Sequence, residues 1–390
     1  MQETIIKELK GSSSLSYKKL RQTIRNHTKE ELPMERSVTD NSINFNGKIV
    51  NVGIDVHKQS WRVTAMVEGV VIKAVTIKPY YSVLKKILSH FSGAHIRVAY
   101  EAGPAGFSLY DELTADHIEC MVVPPSLIPV ESGNRVKTDK KDSTKLAHYL
   151  ENNLLKRVWV LSKEERAHRQ LLRTRRQIAH HRSDVMRQIK SLLLFHGIPY
   201  PSEGPQIWTK TFVRWLRTVK GDEYIVHSLN VLIDVYEYLT QQVKGLTEEV
   251  IKLARSEKYA HRVQVLTSIP GIGVLSAIEI LVELQDVGRF RSADQLAAYI
   301  GVTPSQYSSG ERVRMGSITH LGNHRVRTIL VESSWTVIRK DPSLYKVYES
   351  IKQRRGAKRA IIAISRKLVI RMRRLLLDDK PYTINHSLAA

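Results

Sequence analysis

The chain has 390 residues, with 61 Lys and Arg against 38 Asp and Glu and a formal charge of +23. That excess suits a polyanionic partner, because each neutralised phosphate releases a counterion. The single cysteine excludes an internal disulfide framework and a thiolate metal site, and no apolar stretch approaches the roughly 18–20 residues of a membrane span.

Residues 1–46 read as a polar N-terminal extension. Met1 to Lys19 shows no signal-peptide core, Gly11-Ser12-Ser13-Ser14 is a flexible break, and Tyr17–Glu31 has the character of a basic surface helix. A cytoplasmic protein, associated with the nucleoid when acting, is expected. From Lys48 the pattern changes. Ile49–Val56, Trp61–Val67 and Val70–Ile77 are β-rich runs with short polar breaks, as in successive antiparallel strands. Tyr81–Phe91 has helical spacing through Leu84, Ile87, Leu88 and Phe91. His95–Tyr100 reads as a strand, Ala105–Ala115 as a helix, Ile118–Val123 as a fifth strand and Asp142–Glu151 as the next helix. Cys120, inside that fifth strand, reads as a core residue. Three strands followed by alternating helix and strand is the order of an RNase H-like domain, placed at 47–160.

Two long helices follow, in a helical region at 161–260. Leu171, Ile178, Val185 and Leu192 recur every seven residues in a stretch dense in Arg, His and Lys. In the second helix Leu229, Tyr236, Val243 and Val250 fill one heptad position and Leu232, Leu239, Leu246 and Leu253 the other, the pattern of a coiled-coil seam. Either an intramolecular hairpin or a dimer contact satisfies that seam. The region 261–380 reads as helical and basic, followed by a tail at 381–390. Between Arg354 and Arg374 there are nine Lys or Arg and no acid. As a helix, Ala360–Leu377 buries Ile361, Ile364, Leu368 and Leu375 and turns arginines to a phosphate-facing surface.

The carboxylates carry the chemistry. Asp55 sits within the first strand, where an acid is costly to bury without a cation or a site. Glu101 ends the fourth strand before Ala-Gly-Pro-Ala-Gly. Asp139 and Asp142, three apart, share a face if a helix starts there. In the RNase H-like order the first strand lies beside the fourth, so Asp55 and Glu101 meet at one edge and the later helix brings Asp139 and Asp142 against them. Carboxylates converging in this way call for Mg²⁺, with Mn²⁺ as a substitute, and two such ions clamp the attacking and leaving oxygens of a phosphodiester. His57, two residues after Asp55, shares its face, either lining the site or as a structural histidine.

Farther on, Pro270-Gly271-Ile272-Gly273 between apolar runs reads as the turn of a helix-hairpin-helix, whose backbone amides suit a phosphate. A Ser/Gly/Arg segment follows. In it a serine beside Gly310, with Arg312 and Arg314 close by, has the means to attack a phosphate whose charge guanidiniums offset. Arg325 and Arg327 extend the same basic surface. No Walker-type loop is present.

Together Gly-Ile-Asp55-Val-His-Lys, Tyr-Glu101-Ala-Gly-Pro, Lys-Thr-Asp139-Lys-Lys-Asp142 and the stretch from Pro-Gly-Ile-Gly to Ser-Ser-Gly resemble the DEDD insertion-sequence transposases. That family includes the bridge-RNA-guided recombinases and is related to the pilin-gene invertase. The resemblance spans about residues 48–378. It implies an α/β-plus-α architecture: a RuvC-like (RNase H-like) domain, a long helical coiled coil and a mainly helical C-terminal transposase domain. It further implies that Asp55, Glu101, Asp139 and Asp142 bind Mg²⁺, and that Ser309 forms a transient phosphoserine link to DNA, with Ser308 and, more weakly, Ser305 as alternatives. Its implied partners are donor and target DNA, a structured non-coding guide RNA and further copies of the chain, dimers assembling into a tetramer. A hydrolytic, junction-resolving metal nuclease without a covalent intermediate is the alternative, and a non-catalytic nucleic-acid-binding protein is the third reading.

Overall fold

The computed structural model describes residues 44–129, 139–201, 208–309, 312–319 and 321–384, without the side chains of 139–141, 306–309 and 312–315. The N-terminal break and the expected helix Tyr17–Glu31 lie outside these residues. The chain divides into two compact units at Val160/Leu161.

The first unit is built on a five-stranded sheet of order β3-β2-β1-β4-β5. Strands β1 (Ile49–Val56), β2 (Trp61–Val67) and β3 (Val70–Ile77) form an antiparallel meander, while β4 (His95–Glu101) and β5 (Glu119–Val123) run parallel to β1 and to each other. This mixed sheet has the order expected of an RNase H-like domain, with the first strand beside the fourth. Between the strands lie α1 (Tyr81–Leu88, continued by a 3₁₀ turn to Phe91) and α2 (Ser108–Ala115). α3 spans Asp139–Glu151 and so begins three residues before the expected start at Asp142.

Alternation along the strands assigns the two faces. Val50, Val52, Ile54, Val98, Tyr100 and Val122 are fully buried against Leu84 and Leu88 of α1 and Leu109 and Leu113 of α2. Cys120 packs at the edge of this cluster, and burial pushes its thiol up to about 12, as suits an inert core residue. The opposite face carries small residues. Ala99 and Val123 pack against Leu146, Tyr149 and Leu150 of α3, and Gly53 admits that helix against β1. A Cβ on Gly53 would lie 2.1 Å from the Ser143 carbonyl oxygen and 2.5 Å from the Ala147 nitrogen.

In the second unit α4 (Lys163–Phe195) starts at a capping box in which the Ser162 hydroxyl accepts from the Glu165 amide and the Glu165 carboxylate from the Ser162 amide. α5 (Lys210–Leu216) and α6 (Glu223–Ala254) follow. α4 and α6 run antiparallel. Arg175 Nε donates to Thr247 Oγ1 at 2.7 Å near one end, while toward the other Val185, Ile189 and Leu193 share a cluster with Leu229, Ile233 and Tyr236. Leu229, Tyr236, Val243 and Val250 are all buried, whereas Leu232, Leu239, Leu246 and Leu253 are half-buried and Ile233 takes a deeper place. On α4 only Val185 of the expected row is buried, and Leu172, Ile189 and Leu193 hold the deep positions beside it. A straight helix drifts about 20° per heptad from a seven-residue repeat, so the contact stripe moves onto neighbouring residues over four turns or more.

The rest of this unit comprises α7 (Ala260–Thr267), α8 (Val274–Leu284), α9 (Ala293–Ile300), the antiparallel pair β6 (Pro304–Ser309) and β7 (Arg312–Ile318), α10 (His324–Lys340), α11 (Pro342–Arg355) and α12 (Ala357–Asp378). α8 is its central helix, with Ala277, Ile278, Ile280, Leu281, Val282 and Leu284 all buried. α12 buries Ile361, Ile364 and Leu368 as its spacing requires, with Leu375 half-buried at the edge. Part of its positive charge is engaged internally: Arg366 pairs with Asp294, Arg371 with Asp341, and Arg373 donates to the Phe290 carbonyl. Among the described residues no helix is long and apolar enough to cross a membrane.

Candidate active site

The C-terminal ends of β1 and β4 place the first two acids. Ile54 is in register with Tyr100 in the parallel β1–β4 pair, so Asp55 and Glu101 are the next residues on strands about 4.8 Å apart. Both fall on the face covered by α3, since Asp55 is two residues from Gly53 and Glu101 two from Ala99. The direction of α3 brings the other acids to the same end. Its last residue, Glu151, accepts the Gly69 amide at 3.1 Å through both oxygens. Gly69 lies in the β2–β3 turn, beside the start of β1. The N-terminal half of α3 therefore points toward the end of β1 where Asp55 lies. Ser143 is pinned there by its hydroxyl, 2.9 Å from Thr64 Oγ1, on the β2 residue opposite Gly53. Asp142 immediately precedes Ser143 and is half-buried; Asp139 opens the helix, and its side chain lies outside the described residues.

The Asp55 side chain is 17 % exposed, and His57 Nε2 lies 3.1 Å from its Oδ2. His57 thus does share the Asp55 face. Arg62 is opposite Asp55 in register on β2 and sends Nη1 to Thr76 Oγ1, leaving its Nε buried without a hydrogen-bond partner. Among the described residues no three His, Cys, Asp or Glu side chains form a group able to hold a metal ion. The side chains at this edge nonetheless offer carboxylate oxygens beside the His57 imidazole, with no thiolate among them, a set chemically suited to a divalent cation. Asp55, Glu101 and Asp142, with Asp139 one turn before, are the residues that would hold it.

In the second unit, the turn between α7 and α8 exposes Gly271 and Gly273, with Pro270 half-buried. Gly271 has φ +87°, and its carbonyl accepts from Ser333 Oγ of α10, where a Cβ would meet Thr336 at 2.8 Å. Only glycine fits there. Gly273 is the N-cap of α8 and provides no side-chain cap, which leaves the first amides of an eleven-residue helix open. The Ser/Gly/Arg segment forms a β-ribbon. Register pairs Ser309 with Arg312, Ser308 with Val313 and Tyr307 with Arg314. The Ser309, Arg312, Tyr307 and Arg314 positions therefore share one face of the ribbon, beside a connection whose Gly310 lies outside the described residues. Ser305 is taken up locally: its hydroxyl donates to the Ser317 carbonyl and sits where a Cβ on Gly316 would fall. Arg327 donates to the carbonyls of Ile300, Gly301 and Leu321, which ties the end of α9 to α10.

Arg325 belongs to a cluster that reading along the chain does not reveal. Glu283, 4 % exposed near the end of α8, accepts two bonds from Arg173 (Nε and Nη2, both 3.0 Å), one from Arg325 Nη1 (3.2 Å) and one from Asn323 Nδ2 (3.1 Å). Arg169 Nε lies 3.6 Å away, and its Nη2 donates to the Glu283 carbonyl at 3.0 Å. Burial would push the Glu283 carboxyl up, but Arg173, Arg169 and Asn323 outweigh it and hold it below the usual range. Burial pulls the Arg169 guanidinium down. His324 is held below the ordinary imidazole value by burial and then by Arg325, Arg176 and Arg327. The sequence clue was available in Ile278-Glu-Ile-Leu-Val-Glu283-Leu, an acid in an apolar helix that needs partners.

Two stretches of the chain match known protein families. Residues 52–197 match the DEDD transposase domain of the IS110 type, and residues 263–349 match the transposase domain of the IS116/IS110/IS902 family. A protein of Sinorhizobium fredii carrying the provisional name transposase y4qE is 34 % identical over 65 % of this chain and 61 % of its own length. The transposase for insertion sequence element IS1533 of Leptospira borgpetersenii is 26 % identical over 61 % of this chain and 70 % of its own. The pilin gene-inverting protein of Moraxella bovis is 25 % identical over 64 % and 69 %. The chain thus spans less than two thirds of the first of these relatives and slightly more of the other two.

Proposed function

We propose that this chain, two stretches of which match transposase domains of the IS110/IS116 family, is the DNA transposase of an insertion sequence, cutting and rejoining donor and target DNA. The observation that carries the proposal is the convergence at one sheet edge of Asp55, Glu101 and the start of α3, in a domain of matching family. In this reading Asp55, Glu101, Asp139 and Asp142 bind Mg²⁺, which Mn²⁺ replaces. The bound cation supplies charge neutralisation on the phosphodiester oxygens.

Ser309 is the nucleophile of the proposal. Its Oγ forms a bond to phosphorus, the P–O bond to one sugar oxygen breaks, and the serine proton ends on that leaving oxygen. Attack by an incoming sugar hydroxyl reverses the step and restores the serine. One phosphoester replaces another throughout, so rejoining requires no ATP. The excess of positive charge and the family resemblance extend the proposal to a structured guide RNA, in which pairing reads the sequence and the protein holds backbone and shape, and to a dimer assembling into a tetramer.

The test is cleavage of element-end DNA by the purified chain with its RNA. Chelation with EDTA and Asp55→Ala should each abolish cleavage, with Mg²⁺ or Mn²⁺ restoring it after chelation in the wild type alone. Cleavage that survives Asp55→Ala removes the carboxylate site from the reaction.

A further inference from the structure

We propose that the arginine cluster around Glu283 is a binding pocket for a backbone phosphate of the nucleic acid, formed by α4, α8 and the start of α10. The proposal rests on the reading of the chain as a nucleic-acid enzyme and adds a site built from residues other than the four acids and the serine segment, with Asn323, His324 and Arg325 following just after β7. Its first support is charge. Three guanidiniums, those of Arg169, Arg173 and Arg325, gather on one carboxylate, which leaves two positive charges uncompensated where burial weakens hydration. A salt-bridge network with only a structural role would be expected to balance more closely, because unpaired buried charge is costly.

The second support is shape. The same residues, with Asn323 and His324, line a cavity of about 290 Å³. At about 30 Å³ per water, that is room for a phosphodiester with part of its hydration. The third support is accessible charge. Arg173 remains 41 % exposed although its fork is held by Glu283. The cavity also adjoins the N-terminus of α10, a seventeen-residue helix whose positive dipole end adds to the same field. Glu283 acts here as a positioning residue. It fixes the arginine planes before any ligand arrives and so reduces the ordering cost of binding.

Two measurements on the full chain test this. In thermal melts, inorganic phosphate should raise the wild-type midpoint above a chloride control of equal ionic strength, and Arg173→Gln and Arg325→Gln should lose most of that increment. In binding titrations against short duplexes of two unrelated sequences, each variant should lower the salt slope by about 0.9 per lost phosphate contact, equivalent to roughly eightfold weaker binding at about 0.1 M salt. The loss should be equal for both sequences. Two variants guard against misfolding of one, and circular dichroism checks both. Unchanged phosphate increments together with unchanged slopes overturn the pocket and leave a structural ion-pair network, with the transposase reading untouched. A phosphate increment lost in the variants, in a protein that binds no duplex, keeps the pocket and removes the nucleic-acid reading.

Discussion

Replacing Gly53 with alanine should damage both the stability and the chemistry of the first unit through a single methyl group. The added Cβ would stand 2.1 Å from the Ser143 carbonyl oxygen and 2.5 Å from the Ala147 nitrogen. Both are backbone atoms of α3 and cannot rotate away. Ordinary contact begins near 3.4 Å, so α3 must retreat by about 1.3 Å or β1 must bend by as much. Overpacking of this kind costs about 1–3 kcal/mol, sometimes more, a fall of roughly 5–15 °C in the melting of a domain of this size. The retreat also carries Asp142, one residue before Ser143, away from Asp55. A misplacement of about 1 Å can cost about a hundredfold in rate. Melting by circular dichroism and metal-dependent cleavage of labelled element-end DNA measure the two effects. A Gly53→Ala protein that melts and cleaves like the wild type would refute the packing of α3 on β1 and, with it, the placement of Asp142 beside the strand end.

Other outcomes follow from the second unit. Glu283→Ala leaves three arginines unopposed around a buried site and should destabilise that unit by about 3–5 kcal/mol, read from urea midpoints; a loss under 1 kcal/mol would mean the cluster is already solvated. The carboxyls of Glu283 and Asp341 are both held low. For Asp341, burial opposes the shift while Ser343, Tyr382 and Arg371 drive it. A lowered folded-state value gives stability that is fully present above the unfolded value and is lost as pH falls through the folded one. The contribution of these two carboxylates should therefore hold from neutrality down to about pH 4.5, the ordinary glutamate value, and be lost below it, after a smaller decline that begins near pH 6.5, the ordinary value of the lowered His324; a melting point that does not fall further below pH 4.5 would refute the carboxylate pairing. Strand exchange should proceed without ATP, and an absolute requirement for ATP in a purified reaction would contradict a serine-linked intermediate.

Much of the first unit was legible because its signals are local. β1, β2 and β3 occupy the expected residues, since each alternates apolar and polar positions between polar breaks. The meeting of Asp55 and Glu101 followed from strand order, which the succession of elements encodes. The start of α3 was less legible, because Asp139-Lys-Lys-Asp142 is polar throughout and gives no apolar period before Leu146. The ribbon of the serine segment was not legible: its glycines and serines carry weak strand propensity, and it is cross-strand pairing with Arg312–Ile318 that makes it a ribbon. The buried stripe of α4 was displaced by helical drift, which no single heptad reveals. The Glu283 cluster joins residues separated by 110 positions on one side and 42 on the other, a meeting that only the tertiary packing of α4, α8 and α10 produces.

The central claim, a serine that carries DNA covalently in a reaction that needs the carboxylates, is tested most directly by trapping. Wild-type protein, its element-end RNA, Mg²⁺ and labelled DNA are quenched in denaturant and resolved on a gel, beside Ser309→Ala, Ser308→Ala and Asp55→Ala. The account predicts a protein–DNA adduct in wild type and Ser308→Ala that is absent from Ser309→Ala and Asp55→Ala. Cleavage without any adduct, undiminished in Ser309→Ala, would contradict it and make the protein a hydrolytic metal nuclease.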